Sequence, residues 1–213
     1  MKLYSFHRSS AAFRVRIALN LKGLAYEQQP VHLRKNEQRR EDYLSRNPQG
    51  LVPTLEDGRE VLTQSLAIIE YLDETHPNPP LLPKDPPGRA RVRALAQVIA
   101  CDIHPIDNLR VLRYLANPLG HDEKAIEAWF NHWIGLGFAG MERVLAGDGK
   151  AGTYCHGDAP GLADICLVPQ VFNAQRYPSF DTKPYPTLMR IFAACMKLDA
   201  FERARPEKQP DAE

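Results

Sequence analysis

The chain has 213 residues, is 44% hydrophobic and carries a formal net charge of +1 at pH 7. This length suffices for one large domain or two small ones, and the near-neutral charge excludes a global field that would attract nucleic acid or an acidic membrane. We find no signal peptide, no apolar run of membrane-spanning length, and no CxxC or metal-ligand spacing among the four cysteines. We therefore expect a reduced, cytoplasmic protein with no structural metal.

The N-terminal residues predict a strand, a helix and a second strand. Residues 2–5 have the pattern of a short strand, and the helix after them spans about residues 10–22. Gly23 ends this helix, since glycine readily takes the left-handed conformation found after helix C-termini. A second strand lies within residues 25–32. Proline cannot donate to a neighbouring strand, so Pro30 indicates either that this is an edge strand or that the strand ends near Pro30.

A hairpin and a third helix complete this region. Two short apolar runs flank Asp57-Gly58, a strong signal for a tight turn between antiparallel strands. The amphipathic helix over residues 65–76 ends before Pro77. The order β-α-β followed by β-β-α predicts an α/β domain in which a helical crossover joins two parallel strands.

Proline marks the boundary of this domain. Residues 77–87 contain six prolines, which favour a stiff, extended connector. We therefore expect an α/β domain over residues 1–80, a proline-rich linker at 81–87, an all-helical domain over 88–205, and a polar, disordered tail at 206–213.

The second domain is predicted to contain two long helices and three shorter ones. The first long helix spans about residues 89–116 and should be kinked by Pro105, and the second spans about 122–146. Shorter helices are expected at about 162–176, 186–196 and 198–204. Three of the cysteines lie in these apolar stretches, where a free thiol behaves as a small hydrophobe: Cys101, Cys166 and Cys195.

The adjacent residues Ser9 and Ser10 stand at the start of the first helix. Serine is a favoured N-cap, so one hydroxyl could satisfy an unpaired backbone N–H. A helix start also concentrates unpaired N–H groups and partial positive charge, which favour a bound anion. A cap needs only one serine, so both a structural role and the binding of an anionic ligand remain open here.

Two further dipeptides belong to the same end of the predicted domain. Val52-Pro53 precedes the hairpin, where a trans bond is the ordinary case and a cis bond would expose the Val52 backbone to an extended peptide. Gln64-Ser65 begins the third helix, where the residues could cap the helix or bind an anion. The residue pattern alone does not decide between these interpretations.

Four segments together carry a resemblance to a known family: SSAAFRVRIAL, NPQGLVPTLEDG, LTQSLAIIEYL and GLADICLVPQV. In this combination the chain resembles the zeta class of glutathione transferases over nearly its whole length. The resemblance implies a thioredoxin-like α/β N-terminal domain, an all-α C-terminal domain, glutathione as the cofactor and a homodimeric assembly.

The resemblance also implies a role for the serines. Ser9 would hydrogen-bond the glutathione thiolate, with Ser10 beside it. Many members of the class carry a cysteine directly after the paired serines, whereas this chain has Ala11, so the reactive sulfur must come from the cofactor. A second departure is Gly161, which stands three residues before Asp164 where relatives often have a serine or threonine cap, and which weakens a structural motif.

Further cofactor contacts follow from the same resemblance. Val52, before a cis Pro53, would pair its backbone with the cysteinyl part of glutathione. Gln64 and Ser65 would bind the γ-glutamyl carboxylate, and Gln38 would contact the glycyl end.

Each of the three arginines near the first helix has a different interpretation. Arg14 lies on the apolar face of the helix, where an arginine must be paired, so we interpret it as structural. Arg16 shares its face with Asn20, and we expect it to be solvated. Arg8 lies in the loop before the serines, where it is either a solvated charge or a bidentate partner for a substrate carboxylate.

The predicted helical domain offers four more candidates. His104 and Asn108 are four residues apart on one predicted helix and therefore share a face. Arg110 and Arg176 are typical of surface charges on pattern alone. The resemblance implies Arg8 and Arg176 as clamps for substrate carboxylates, with His104, Asn108 and Arg110 lining the site or contacting glutathione.

The activity implied by the resemblance is glutathione-dependent cis–trans isomerisation of a small dicarboxylate. Maleylpyruvate, an intermediate of gentisate catabolism, is the expected substrate, and maleylacetoacetate of tyrosine catabolism is the alternative. A glutathione-conjugating transferase remains a rival, as does a non-catalytic binding module, although such modules usually lack the thiol-binding serine. Ala11 and the missing CxxC argue against a thiol–disulfide oxidoreductase.

Overall fold

One mixed sheet in the order β2-β1-β3-β4 contains the four strands of the chain, which are β1 (Lys2–Ser5), β2 (Glu27–Pro30), β3 (Thr54–Asp57) and β4 (Glu60–Thr63). Strand β1 is parallel to β2 and antiparallel to β3, and β3 is antiparallel to β4. Pro30 ends the edge strand β2, and Gly58 opens the two-residue hairpin loop with a φ of 61°. The predicted β-α-β and β-β-α order is confirmed.

The computed structural model describes residues 1–213, which form two compact units. The first contains Met1–Leu81 together with Met196–Glu213, and the second contains Leu82–Cys195. The helices of the first unit are α1 (Ser10–Leu21), α2 (Glu41–Leu44), α3 (Ser65–Thr75) and α10 (Asp199–Glu202), with 3₁₀ turns at Leu33–Lys35, Glu37–Arg39 and Pro206–Lys208.

The core of the first unit lies between the sheet and helices α1 and α3. Leu3 and Leu55 face each other across β1 and β3 and are fully buried. Ile17 of α1 and Ile68 of α3 are also fully buried, and the two helices pack together. Full burial of one such side chain contributes about 1.5–3 kcal/mol, so these four side chains together stabilise the packing of the helices on the sheet.

The C-terminal residues differ from the expected disordered tail. Helix α10 packs against α1, and the Asn20 side chain donates a hydrogen bond to the Ala200 carbonyl at 2.9 Å. The amide of Gln209, itself buried, donates to the carbonyls of Arg203 and Arg205. The contact between Asn20 and Ala200 joins residues 180 positions apart, so the polar composition of the C-terminal residues gave no sign that they pack on the first unit.

Arg16 is also different from the expectation, because it is fully buried rather than solvated. Its guanidinium donates to the carbonyls of Ala204 and His7 and to the Ser5 hydroxyl, each at 3.0 Å. Residues that follow the helical unit therefore cover a face of α1 that would otherwise meet water. Arg14 is buried, as the apolar face predicts, and donates to the Ser65 hydroxyl at 3.2 Å.

The second unit is helical, with α4 (Pro86–Gln97), a π-helical segment (Val98–Ile103), α5 (His104–Asp107), α6 (Leu109–Ala116), α7 (Glu123–Gly147), α8 (Leu162–Ala174) and α9 (Pro186–Cys195). Helix α4 begins within the expected linker, because Asp85 caps it and proline suits the first helical position. The long helix predicted at 89–116 is divided at the π-helical segment and again at Asn108.

Two local features of this unit refine the sequence predictions. Cys101 is exposed rather than buried, since it lies in the π-helical segment, where the extra residue per turn changes which side chains face inward. Gly161 cannot cap α8 with a side chain, and the buried Asp164 carboxylate instead accepts from the Gly161 and Cys155 backbone N–H groups at 2.9 and 2.8 Å. No helix of the chain combines the length and apolarity needed to cross a membrane.

Candidate functional site

The sheet register brings three predicted site segments to one edge. Tyr4 of β1 is opposite Thr54 of β3, which is in turn opposite Thr63 of β4. The loop after β1, the residues before β3 and the start of α3 therefore emerge together at this edge. These are the segments that carry Ser9-Ser10, Val52-Pro53 and Gln64-Ser65.

Ser9 is the N-cap of α1. Its Oγ accepts a hydrogen bond from the Ala12 backbone N–H at 3.2 Å, and its backbone is extended, with φ −73° and ψ 116°. This contact uses the oxygen as an acceptor and leaves the O–H available to donate. Capping and thiolate binding are therefore compatible at Ser9, while Ser10 is the first helical residue and is buried.

The segment before β3 presents an extended backbone at the same edge. The Val52–Pro53 peptide bond is cis, as the resemblance implies. Leu51, which precedes Val52, is held in place because its carbonyl accepts from the Tyr43 hydroxyl and from the Asn47 side chain, the latter at 2.8 Å. This bracing fixes the position of the Val52 backbone before any ligand binds.

The start of α3 is uncapped and strained. Gln64 has a φ of 68°, which is unfavourable for a residue other than glycine and costs about 1–3 kcal/mol. Its side chain makes no capping bond and donates instead to Gln49 Oε1 at 2.9 Å. Ser65 is the first residue of the helix and its hydroxyl accepts from Arg14, so ordinary capping does not explain this dipeptide. The exposed helix N-terminus is suited to a carboxylate.

Gln38 has a buried side-chain oxygen without a hydrogen-bond partner. The turn that carries it lies against Gly50, where an added Cβ would be 3.0 Å from the Gln38 carbonyl and the φ is +62°. Gly50 follows Gln49, which contacts Gln64, so Gln38 and Gln64 are connected through this loop. Sequence reasoning missed Gln49, because a glutamine in a turn has no distinguishing local pattern.

These observations fit a γ-glutamyl tripeptide with a thiol. The Ser9 O–H can donate to sulfur, the uncapped start of α3 can bind a carboxylate, and the unpartnered Gln38 oxygen can accept from a peptide N–H. Each of these places retains hydrogen-bonding capacity that the protein itself does not use.

Arg8 lies beside this set and is exposed. Partial burial and the positive charge of Arg34 lower its pKa. The mutual repulsion of Arg8, which directly precedes Ser9, and Arg34 favours the binding of an anion, since a carboxylate would offset their charges.

The four candidates in the helical unit do not share one helix face. His104 begins α5, but Asn108 has an extended backbone and caps α6 by accepting from the Arg110 and Val111 N–H groups at 3.1 and 3.3 Å. The predicted common face of His104 and Asn108 is therefore wrong, because asparagine is a strong N-cap and divides the helix. Arg110 and Arg176 are both exposed, and Arg176 contacts Asn173 at 3.2 Å.

Asp107 lies in this same divided segment and was not identified from the sequence. It is 3% exposed, and neither carboxylate oxygen has a hydrogen-bond partner. Burial raises the pKa of Asp107 from 3.8 to about 8, so the folded protein holds this carboxyl in its protonated form at neutral pH.

The raised pKa of Asp107 predicts a pH-dependent stability. The unfolded chain releases this proton above about pH 4 and the folded chain only near pH 8, so the free energy of unfolding should fall as the pH rises between these values. Asp107→Asn should remove this part of the dependence and be more stable than the wild type at pH 9, as urea unfolding from pH 5 to 9 would measure. Asp102→Asn, at an exposed position, is the control and should behave like the wild type.

Comparisons with known proteins agree with this geometry. The family model for the glutathione S-transferase N-terminal domain matches residues 3–80. A maleylpyruvate isomerase from a Ralstonia species is 54% identical over 212 residues, covering 100% of both chains. A solved structure described as the holo form of maleylpyruvate isomerase, a bacterial glutathione S-transferase of the zeta class, is 54% identical, with a TM-score of 0.98 and full coverage of both chains.

A second solved structure contains ligands. Maleylacetoacetate isomerase from Methylobacterium extorquens AM1, with bound malonate and glutathione, is 44% identical, has a TM-score of 0.96 and covers 100% of both chains. The identity extends over both structural units and is not confined to the N-terminal one. The chain therefore belongs to the zeta class of the glutathione S-transferase family.

Proposed function

We propose that this chain is a glutathione-dependent cis–trans isomerase that converts maleylpyruvate to fumarylpyruvate. The observation that carries the proposal is the available Ser9 hydroxyl at the start of α1, on the same sheet edge as the cis Val52–Pro53 bond and the uncapped start of α3. The 54% identical relative from Ralstonia is named for this activity.

In this proposal the protein binds and activates a thiol that it does not itself possess. Bound glutathione supplies a thiolate that adds to the cis double bond, permits rotation about the resulting single bond, and leaves as the trans alkene forms. Ser9 donates its O–H to the sulfur, and the positive end of α1 also favours the thiolate. Gln64 and Ser65 bind the γ-glutamyl carboxylate, the Val52 backbone pairs with the cysteinyl part, and Gln38 contacts the glycyl end.

The proposed substrate has two carboxylates, and candidate arginines can bind them. We assign Arg8 and Arg176 to these carboxylates because guanidinium binds carboxylate in a bidentate manner. Their charge also offsets the negative charge that develops on the substrate during thiol addition. His104 and Arg110 are assigned to the lining of the site. Asn108 is assigned to positioning Arg110, because its amide already caps the helix that carries Arg110.

A direct assay tests the proposed function. Purified protein with maleylpyruvate should form fumarylpyruvate only when glutathione is present, and glutathione should not be consumed. Equal turnover after thorough removal of glutathione would exclude the mechanism. S-methyl glutathione, which binds the same groups but cannot form a thiolate, is the matched control and should not support turnover.

The substrate choice is tested by comparing rates. We expect maleylpyruvate to be converted faster than maleylacetoacetate, the alternative favoured by relatives such as the Methylobacterium isomerase. A halogenated aromatic electrophile should be a poor substrate, since the candidate arginines favour a dianion over an apolar compound; faster conjugation of that electrophile would favour a conjugating transferase.

We further propose that the protein is cytoplasmic and forms a homodimer. Analytical sedimentation of the purified protein measures the assembly state.

A further inference from the structure

The last residues of the chain contact two loops of the candidate glutathione site. One Asp211 carboxylate oxygen accepts from the His7 backbone N–H at 2.8 Å, and the other accepts from the Gln28 side chain at 3.1 Å. The Glu213 carboxylate lies 3.0 Å from the His32 ring nitrogen. His7 immediately precedes Arg8 and Ser9, and His32 begins the loop that leads to Gln38.

The loop with His7 is a tight turn that ends at Ser9. The Ser9 backbone N–H donates to the Phe6 carbonyl at 2.9 Å, so His7 and Arg8 are the two central residues of the turn. Asp211 holds the His7 N–H, and Arg16 donates to the His7 carbonyl at 3.0 Å. Both backbone polar groups of His7 are therefore fixed, and the geometry of the turn determines where the Ser9 hydroxyl points.

Asp211 lies in a largely buried environment with basic side chains nearby. Its side chain is 11% exposed, and its carboxylate lies 3.4 Å from the His7 ring, which is 7% exposed. Burial lowers the pKa of Arg16 to about 10, and the charges of Tyr26 and Asp211 oppose this change. Burial also lowers the pKa of His7, against the influence of Asp211. Asp211 thus favours the cationic form of Arg16, while its role in the turn is that of a hydrogen-bond acceptor.

We propose that Asp211 is a positioning residue for the reaction, holding the Phe6–Ser9 turn so that the Ser9 hydroxyl is directed at the glutathione sulfur. This inference rests on the proposed function. Asp211 contacts neither cofactor nor substrate in this scheme and acts only through His7. The C-terminal segment thereby contributes to thiol activation, although it lies about 200 positions away from Ser9 in the chain.

The pKa of the bound thiol provides a readout that a purely stabilising role would not change. Asp211→Ala should raise the thiol pKa of enzyme-bound glutathione by about one unit, which is about a tenfold loss in the thiolate-to-thiol ratio. Thiolate absorbance during a pH titration measures this value. Asp211→Asn should restore most of the effect, since its amide oxygen still accepts from the His7 N–H.

Asp199→Ala is the matched control. Asp199 lies in the same C-terminal region and makes an exposed ion pair with Arg203 at 2.7 Å, away from the turn. We expect this variant to have the wild-type thiol pKa. Measurements on all variants are made well below their unfolding temperatures, and if Asp211→Ala does not fold, Asp211→Asn and Asp211→Ser provide the comparison, with the thiol pKa raised more by serine than by asparagine.

The variant Ser9→Ala distinguishes a failure of the inference about Asp211 from a failure of the proposed function. If Ser9→Ala raises the thiol pKa while the Asp211 variants match the wild type, the positioning role of Asp211 is wrong and the proposed function stands. If the wild-type protein does not lower the thiol pKa of glutathione at all, thiolate activation at Ser9 is wrong, and the role of Asp211 is wrong with it. A raised thiol pKa in both Ser9→Ala and Asp211→Ala, with Asp199→Ala unchanged, supports the inference.

Discussion

Replacement of Ser9 by alanine should lower kcat/KM for the isomerisation by about ten- to a hundredfold at pH 7, because a charge-assisted hydrogen bond from the hydroxyl to a thiolate contributes about 1.5–3 kcal/mol. A free thiol with a pKa of about 8.5 is roughly 3% ionised at pH 7. Lowering this pKa by two units would raise the ionised fraction to about 75% and requires about 2.7 kcal/mol. The Ser9 hydroxyl and the start of α1, which adds about 0.3–1 kcal/mol, suffice for this change.

Two substitutions are suitable controls for Ser9→Ala. Ser9→Thr keeps a hydroxyl that both caps α1 and donates, so it should retain most of the activity, whereas Ser10→Ala leaves Ser9 intact and should have a small effect. Loss of the cap costs about 1 kcal/mol of stability, so rates are measured well below the unfolding temperature. A large loss with Ser10→Ala and a small loss with Ser9→Ala would assign the thiolate to Ser10 instead.

The architecture of the first unit was predictable because its signals are local. Alternating and helical apolar patterns, Gly23 after α1 and the Asp57-Gly58 turn each depend on a few neighbouring residues. Such signals fix the order of elements, and right-handed crossovers then restrict the topology. The cis bond at Val52–Pro53 was different, since base rates favour trans and only the family resemblance implied cis.

The finer features of the site depend on contacts that no local pattern encodes. The positive φ of Gln64, its bond to Gln49 and the buried oxygen of Gln38 follow from how the loops pack against one another. The break at Asn108 had a local signal, since asparagine is a strong N-cap, but the apolar periodicity of residues 89–116 favoured one continuous helix.

The limit of local sequence patterns is clearest at Arg16. Its position on α1 next to a polar residue is typical of a solvated face, but the Ala204 carbonyl, 188 positions further along the chain, accepts from its guanidinium. A helix periodicity identifies which residues share a face but not what covers that face. The same C-terminal residues that bury Arg16 also supply Asp211 to the turn before Ser9.

Arg16→Met should consequently be one of the most destabilising single substitutions in the chain. It removes the donor to the Ala204 and His7 carbonyls and to the Ser5 hydroxyl, and leaves these groups in a fully buried position. We expect the free energy of unfolding, measured by urea denaturation, to fall by about 3–5 kcal/mol. Arg203→Met removes an exposed arginine of the same C-terminal region and should cost less than about 1 kcal/mol. Equal losses from the two substitutions would contradict a structural role for the buried guanidinium.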